Sequence, residues 1–493
     1  MSLVPTLSTN WTIRFVPAEV WRRIFQFIAS TSQPFDPAGI VDIIRVSHVC
    51  STWRDVANNS PELWTNVALS FDQEGGEHCF PNEKLLALIL GKSRSLPLTM
   101  GLVSTVQPMF RSVKGMKAVG LFLRTTHRAI MLKLDSRVLD VIWEDTDSGV
   151  LAKSSLQVQP ALLLEGLVLG SRHEANDAND VVSELWKPAP FMRSLTLFDD
   201  FIGEATYYSL ESSQFPFPFR QLTKLEFTCR ISTDAVKAFL TATPSLVEVV
   251  FDLLYADFKN YRGPDPTELS RLETISIYQE YRNGEDEFAK FLHFQELPFM
   301  HTLEFIKAPN LVTLRLSFDC GWDAECFQKF VTESSRQIQH FHFDITSAFE
   351  SVLVGEECIE LLPSLRTLDL SFRQVGSARK LRKRNPIGEE FLEAMRHWDT
   401  SDGRFTLCPH LEKLVIDYGA IGDMNSALFA DMIRERLRRS GEGGFSLILK
   451  EANMLGDTPE SHSEMIRLLL LRKSGLKLTI EPAIEWMEEL FHY

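Results

Sequence analysis

The chain has 493 residues, 44% hydrophobic and 24% charged, a composition that builds a buried core and excludes a disordered chain. Sixty-six acidic against 51 basic residues leave a formal net charge of −15, which repels a phosphate backbone and argues against nucleic acid as a partner. Seven scattered cysteines suit a reducing compartment, and no aliphatic run approaches the length of a membrane span, the longest lying around Leu468 to Leu471. The first residues, "MSLVPTLSTNWTIRF", lack a basic start followed by an apolar block, so a soluble protein of the cytoplasm, the nucleus or both is expected, without membrane contact.

In chain order, "VPAEVWRRIFQFI" (16–28) predicts a helix, with Pro17 at its start and Glu19 in its first turn. Val20, Ile24 and Phe27 form one stripe, and Trp21, Phe25 and Ile28 a second beside it, so the helix is expected to bury two faces. After a loop over 29–39, Asp36 and Pro37 start another helical stretch. In it Val46, Val49, Cys50 and Trp53 fall at i, i+3, i+4 and i+7 on one face, prolonged by Val56 and Ala57 and stopped by Asn58 and Asn59. "SPELW" then turns the chain so that Trp64 leads into "TNVALSF". A unit of about 55 residues is too small to bury this much apolar surface internally, so part of it meets another surface.

Downstream a short template recurs: an apolar residue, two variable residues, an apolar residue, one variable residue, an apolar residue. Its clearest copies are "PSLVEVVF" (244–251), "PNLVTLRL" (309–316), "PSLRTLDL" (363–370) and "PHLEKLVI" (409–416). Weaker copies begin at Met116, Val138, Leu164, Met192, Leu222, Leu272 and Ile338. Most starts are 22 to 30 residues apart, the length of one supersecondary unit. The alternating end of the template predicts a strand. Stretches such as "STDAVKAFL" (232–240), "WDAECFQKFV" (322–331) and "GEECIELL" (355–362) predict helices between strands.

One strand and one helix per copy, neither able to bury its apolar face alone, predict stacking into a solenoid. Residues 252–270 read as a turn-rich loop, and 371–404 hold a basic run, Arg379 to Arg384, followed by a helix. That run reads as a solvated loop, with a nuclear-import signal or an anionic-partner patch as alternatives. "FSLIL" (445–449) and "LKLTI" (476–480) are candidate further strands, and a helix over 481–491 would cap the last edge.

The repeats resemble leucine-rich repeats in degenerate form. The turn residue common in that family is met only by Asp200 and Asp319, and an α/β domain whose strands merely follow prolines is the alternative. The opening segment, "VPAEVWRRIF" with "IIRVSHVCSTWRDVANNSPELWTNV", resembles an F-box-like domain of the form common in fungal proteins. Pro17, Ile24, Phe25, Val49, Cys50, Trp53, Pro61, Leu63 and Trp64 carry the resemblance, while Val16 stands where Leu is usual and Ser51 where Arg is frequent.

The implied fold class is α/β: a small three-helix F-box followed by an irregular leucine-rich-repeat solenoid with strands on its concave face. The expected division is a tail (1–13), the F-box-like domain (14–70), a connecting helix (71–95) and the repeats with their capping helix (96–493). The implied function is that of a substrate-recognition subunit of a Skp/cullin/F-box type ubiquitin ligase. Pro17, Ile24, Val49, Cys50 and Trp53 would bind a Skp-type adaptor and through it a cullin, Leu63 and Trp64 would pack the F-box on the repeats, and the repeats would hold a target protein. A repeat scaffold that recruits no ligase is the other reading.

No catalytic role is expected. G-x-S-x-G, G-x-x-x-x-G-K-[ST], H-E-x-x-H and C-x-x-C are all missing, and no cofactor or metal site is read. The two cysteines of "CGWDAEC" (320–326) read as core. Asp319, Arg373 and Asp417, near strand ends, are places where a target could touch the repeats.

Overall fold

The first helices begin where the chain offers a cap. α1 (Ala18–Ser30) follows Pro17, whose carbonyl accepts the N–H groups of Val20 and Trp21 at 3.0 and 3.3 Å. α2 (Ala38–Ser47) follows Pro37. α3 (Ser51–Asn58) is opened by Cys50, an extended residue (φ −156°, ψ 171°) whose Sγ accepts from the Trp53 N–H at 3.4 Å. The single stripe expected through Val46, Val49, Cys50 and Trp53 is therefore split. The chain breaks helix at 48–50 because Cys50 serves as the cap of a new one, which leaves Val46 buried and Val49 exposed.

The computed structural model describes residues 16–30, 34–71, 79–104, 113–135, 159–170, 183–198, 201–202, 204–213, 215–228, 230–231, 233–252, 266–278, 301–318, 323–334, 337–345, 356–371, 388–417, 426–439, 444–450 and 459–481. The tail 1–13, the basic run Arg379 to Arg384, the template copy at Val138, Asp200, Asp319, Arg373 and the capping stretch beyond 481 lie outside the described residues. The chain divides into two compact units, residues 1–199 with 205–218, and residues 200–204 with 219–493.

In the first unit a 3-10 turn, Pro61–Trp64, leads from α3 into β1 (Asn66–Phe71). β2 (Cys79–Phe80) runs antiparallel to β1, and α4 (Glu83–Lys92) is capped by Asn82, whose Oδ1 accepts from the Leu85 N–H at 3.0 Å. β3 (Leu98–Ser104), α5 (Val113–Thr125), β4 (Ala129–Leu134), β5 (Gly166–Gly170) and β6 (Ser194–Phe198) follow. The strand order is β2-β1-β3-β4-β5-β6, parallel from β1 onward. The copies at Leu164 and Met192 are strands here, but the copy at Met116 is not: it lies in α5. Ala118, Val119, Phe122 and Leu123 are buried there at helical spacing; Val119 belongs to both patterns, while Leu121, the last apolar position of the template, is half-buried.

The large sheet takes nine parallel strands from the described residues of the second unit, in chain order: Lys224–Phe227, Glu248–Asp252, Thr274–Tyr278, Thr313–Phe318, His340–Ile345, Thr367–Asp369, Lys413–Asp417, Ser446–Lys450 and Lys477–Glu481. Helices such as Thr233–Ala242, Ala324–Ser334, Ser426–Arg439 and Pro459–Lys473 stand between them. The apolar template residues point one way: Leu246, Val249 and Phe251, then Leu311, Leu314 and Leu316, are fully buried. Residues between them, such as Thr313, Arg315 and Ser317, are half-buried. Parallel strands covered on both faces read as continuous apolar runs; this alternation instead gives most strands one closely packed apolar face and one half-buried, more polar face.

Aromatic rings fill the covered side. Phe227 stacks on Phe251 at 5.6 Å and meets the edge of Phe239 at 5.1 Å. The fully buried Arg436 of the helix Ser426–Arg439 fastens an irregular stretch below it, donating to the carbonyls of Met395 (2.8 Å), Cys408 (3.0 Å) and Leu407 (2.6 Å) and lying 4.4 Å over the Phe405 ring. Burial lowers its guanidinium to about 10.

Candidate functional site

α1 shows which of its two stripes the fold consumes. Phe25 is fully buried, and Trp21, Phe25 and Trp53 form one aromatic cluster, with ring centroids 4.7 Å apart for Trp21 and Trp53 and 5.3 Å for Phe25 and Trp53. The other stripe stays open. Val20, Ile24 and Phe27, at i, i+4 and i+7, are 44%, 40% and 70% exposed, and Val16 and Val49 are 36% and 59% exposed. The expectation that α1 buries both faces is therefore not met among the described residues, since the neighbouring helices cover only the side of Phe25.

The expected site residues fall into two sets. Pro17, Ile24 and Val49 lie on the surface, while Cys50 and Trp53 are half-buried, one capping α3 and the other filling the cluster beneath. The indole N–H groups of Trp21 and Trp53 are buried with no acceptor among the described residues, at a cost of about 1–3 kcal/mol each. Leu63 and Trp64 are buried. The Trp64 indole donates to the Ala57 carbonyl at 2.8 Å, and the Lys92 ammonium of α4 lies 4.7 Å above its ring while also donating to the Asn58 side chain. Trp64 thus ties α3 to α4 across the start of β1.

Two anchors went unread in the sequence. Arg22 reaches from α1 to the turn after α3, donating to Ser60 Oγ at 3.2 Å and pairing with Glu62 at 3.3 Å. Phe35, in the α1–α2 connection, adopts a left-handed backbone (φ 69°) and lies so close over Gly101 of β3 that a Cβ there would come within 2.8 Å of the Phe35 Cβ. A glycine in the middle of a strand is the one local sign of such a close approach.

Among the described residues no group of three or more His, Cys, Asp or Glu side chains is placed to hold a metal ion. No described helix is long and apolar enough to cross a membrane. Cys326 is buried on its helix, and burial, then Glu304 and Asp323, raise its thiol to about 12, while Cys320 lies outside the described residues.

These helices, with an apolar stripe left open beside a closed aromatic core, occupy a segment that a family model recognises. Residues 13–70 match the F-box-like family. The F-box-like domain therefore covers α1 to α3, the Pro61–Trp64 turn and the first residues of β1. A search of the curated proteins finds no match to the chain.

Proposed function

We infer that the F-box-like domain docks on a Skp-type adaptor, and through it a cullin, and that the chain serves as a substrate-recognition subunit of a ubiquitin ligase. F-box domains in general bind Skp-type adaptors. The observation that carries the reading is the open stripe of Val20, Ile24 and Phe27 beside Val49, a group of exposed apolar side chains of the kind that marks an interaction surface. Pro17 and Cys50 set the ends of the helices that border this stripe, and Trp53 supports it from beneath. Buried aromatic and aliphatic anchors of this kind dominate an interface, at about 2 kcal/mol or more each on truncation.

In this reading the downstream strands and helices form an irregular leucine-rich-repeat solenoid that holds the target, with Leu63 and Trp64 packing the F-box against it. The protein performs no chemistry itself and acts in the cytoplasm, the nucleus or both. Its contribution is to hold the target within reach of a ubiquitin-charged enzyme, which is catalysis by proximity. Co-expression with a Skp-type adaptor and a cullin tests this. A complex of all three that survives gel filtration supports the reading. A soluble, folded chain that elutes without the adaptor supports the scaffold reading instead.

A further inference from the structure

The polar face of the second unit has a closed region and an open one. At its first two strands Lys224 already faces two carboxylates, Glu226 at 3.6 Å and Glu248 at 3.4 Å. Further along, the register places Thr313, His340, Thr367, Lys413 and Ser446 side by side on five successive strands, a row of hydroxyls, an imidazole and an ammonium without a carboxylate.

The next outward row sets Arg315, His342 and Asp369 in line. Asp369 is already engaged, 3.3 Å from His342 Nδ1 and accepting from the Ser371 N–H and O–H at 2.9 and 2.6 Å. Arg315 donates to Ser276 Oγ at 3.3 Å, and among the described residues neither Arg315 nor Lys413 forms a salt bridge. His340 registers the resulting field. Burial, then Arg315 and Arg366 with Lys413 behind them, outweigh Glu412 and hold its imidazole below the usual value. A positive field on a chain of net charge −15 is a local exception.

We propose that this face, centred on Arg315, His340, Thr367 and Lys413, docks a short acidic peptide segment. As the segment of a target protein it rests on the receptor reading above; as a peptide site it stands on the face alone. Five strands about 4.8 Å apart span about 19 Å, the reach of about six extended residues. Side-chain carboxylates or phosphates would pair with Arg315 and Lys413, and the threonine hydroxyls would meet the peptide's polar backbone. A long polyanion is disfavoured, because the acidic remainder of the chain repels it while a short segment needs only the local field.

The test is fluorescence anisotropy of the full-length protein with a labelled eight-residue Glu/Ser peptide, its Gln/Ser counterpart, a phosphoserine version and a single-stranded RNA. The Glu or phosphoserine peptide is expected to bind at least tenfold more tightly than the Gln peptide and to weaken as salt rises; the better of the two identifies the anion. An Arg315→Glu/Lys413→Glu variant should lose at least tenfold, and Lys224→Gln, in the closed region, less than twofold.

Equal binding of the Glu and Gln peptides, no binding of either acidic peptide, a double variant without effect, or tighter binding of the RNA overturns the proposal. If the double variant does not fold, the Gln comparison and salt titration on the natural chain decide. Acidic-peptide binding by a chain that captures no adaptor would sustain this face and remove the receptor reading.

Discussion

Apolar side chains meet opposite fates in α1 and in the strands of the second unit. In the strands the template residues from Leu246 to Ile416 are between 0% and 8% exposed except for the half-buried Leu370, and the residues between them are mostly polar. In α1 the burial of Phe25 coexists with a Phe27 that is 70% exposed two positions later. The strands bury most of their apolar surface in the fold, whereas α1 leaves part of its own open. Apolar periodicity thus says that a face will be covered without saying by what.

The comparison breaks most readily on the strand side. Arg436→Met removes three hydrogen bonds from a buried cation and strands the Met395, Leu407 and Cys408 carbonyls, so a loss of at least about 3 kcal/mol is expected in denaturant unfolding. A loss below about 1 kcal/mol would mean that this helix does not depend on the clamp. On the F-box-like side, Gly101→Val drives a side chain into the Phe35 Cβ and should cost about 1–3 kcal/mol; pairing it with Phe35→Gly should recover part of that, because the obstructing Cβ is gone and glycine suits the left-handed backbone there. Failure of the second substitution to compensate would place the strain elsewhere.

The smallest effect concerns Asp369. Burial raises its carboxyl, but His342 and the Ser371 donors prevail and hold it at about 2, below the unfolded value of 3.8. Its contribution is present above the unfolded value and fades as pH falls from about 4 through about 2. Asp369→Asn should lower stability across the neutral region and leave it little changed below about pH 2, so that the acid limb flattens in that window. An unaltered acid limb would show that the pair with His342 adds nothing.

Much of the strand pattern was legible because its signal is local: two or three apolar residues at fixed spacing state both the element and its buried face, as at Leu311, Leu314 and Leu316. The Met116 copy misled for the same reason, since Val119 fits the strand template and the buried helical stripe of Ala118, Phe122 and Leu123 alike. Cys50 gave no sign of capping α3, because a thiol is a weak and uncommon acceptor at a helix start. Arg436 and Phe35 could not be read from nearby residues. Their partners lie 28 to 41 and 66 positions away, in segments brought together only by the fold. In the candidate site, the sequence stripes identified the apolar faces of α1, but only packing decided that Trp21 and Phe25 would close while Ile24 and Phe27 stayed open.

The central claim is that the open stripe of α1 is an adaptor surface. Its most direct test is the affinity of the purified chain for a Skp-type adaptor, compared with an Ile24→Asp/Val49→Asp variant and with Leu162→Asp/Phe191→Asp, which alters apolar residues equally exposed elsewhere in the first unit. The account predicts that the first variant stays folded and binds at least about a hundredfold more weakly, as two lost anchors imply, while the second binds like the natural chain. Equal affinity of all three, or equal loss in both variants, would contradict it.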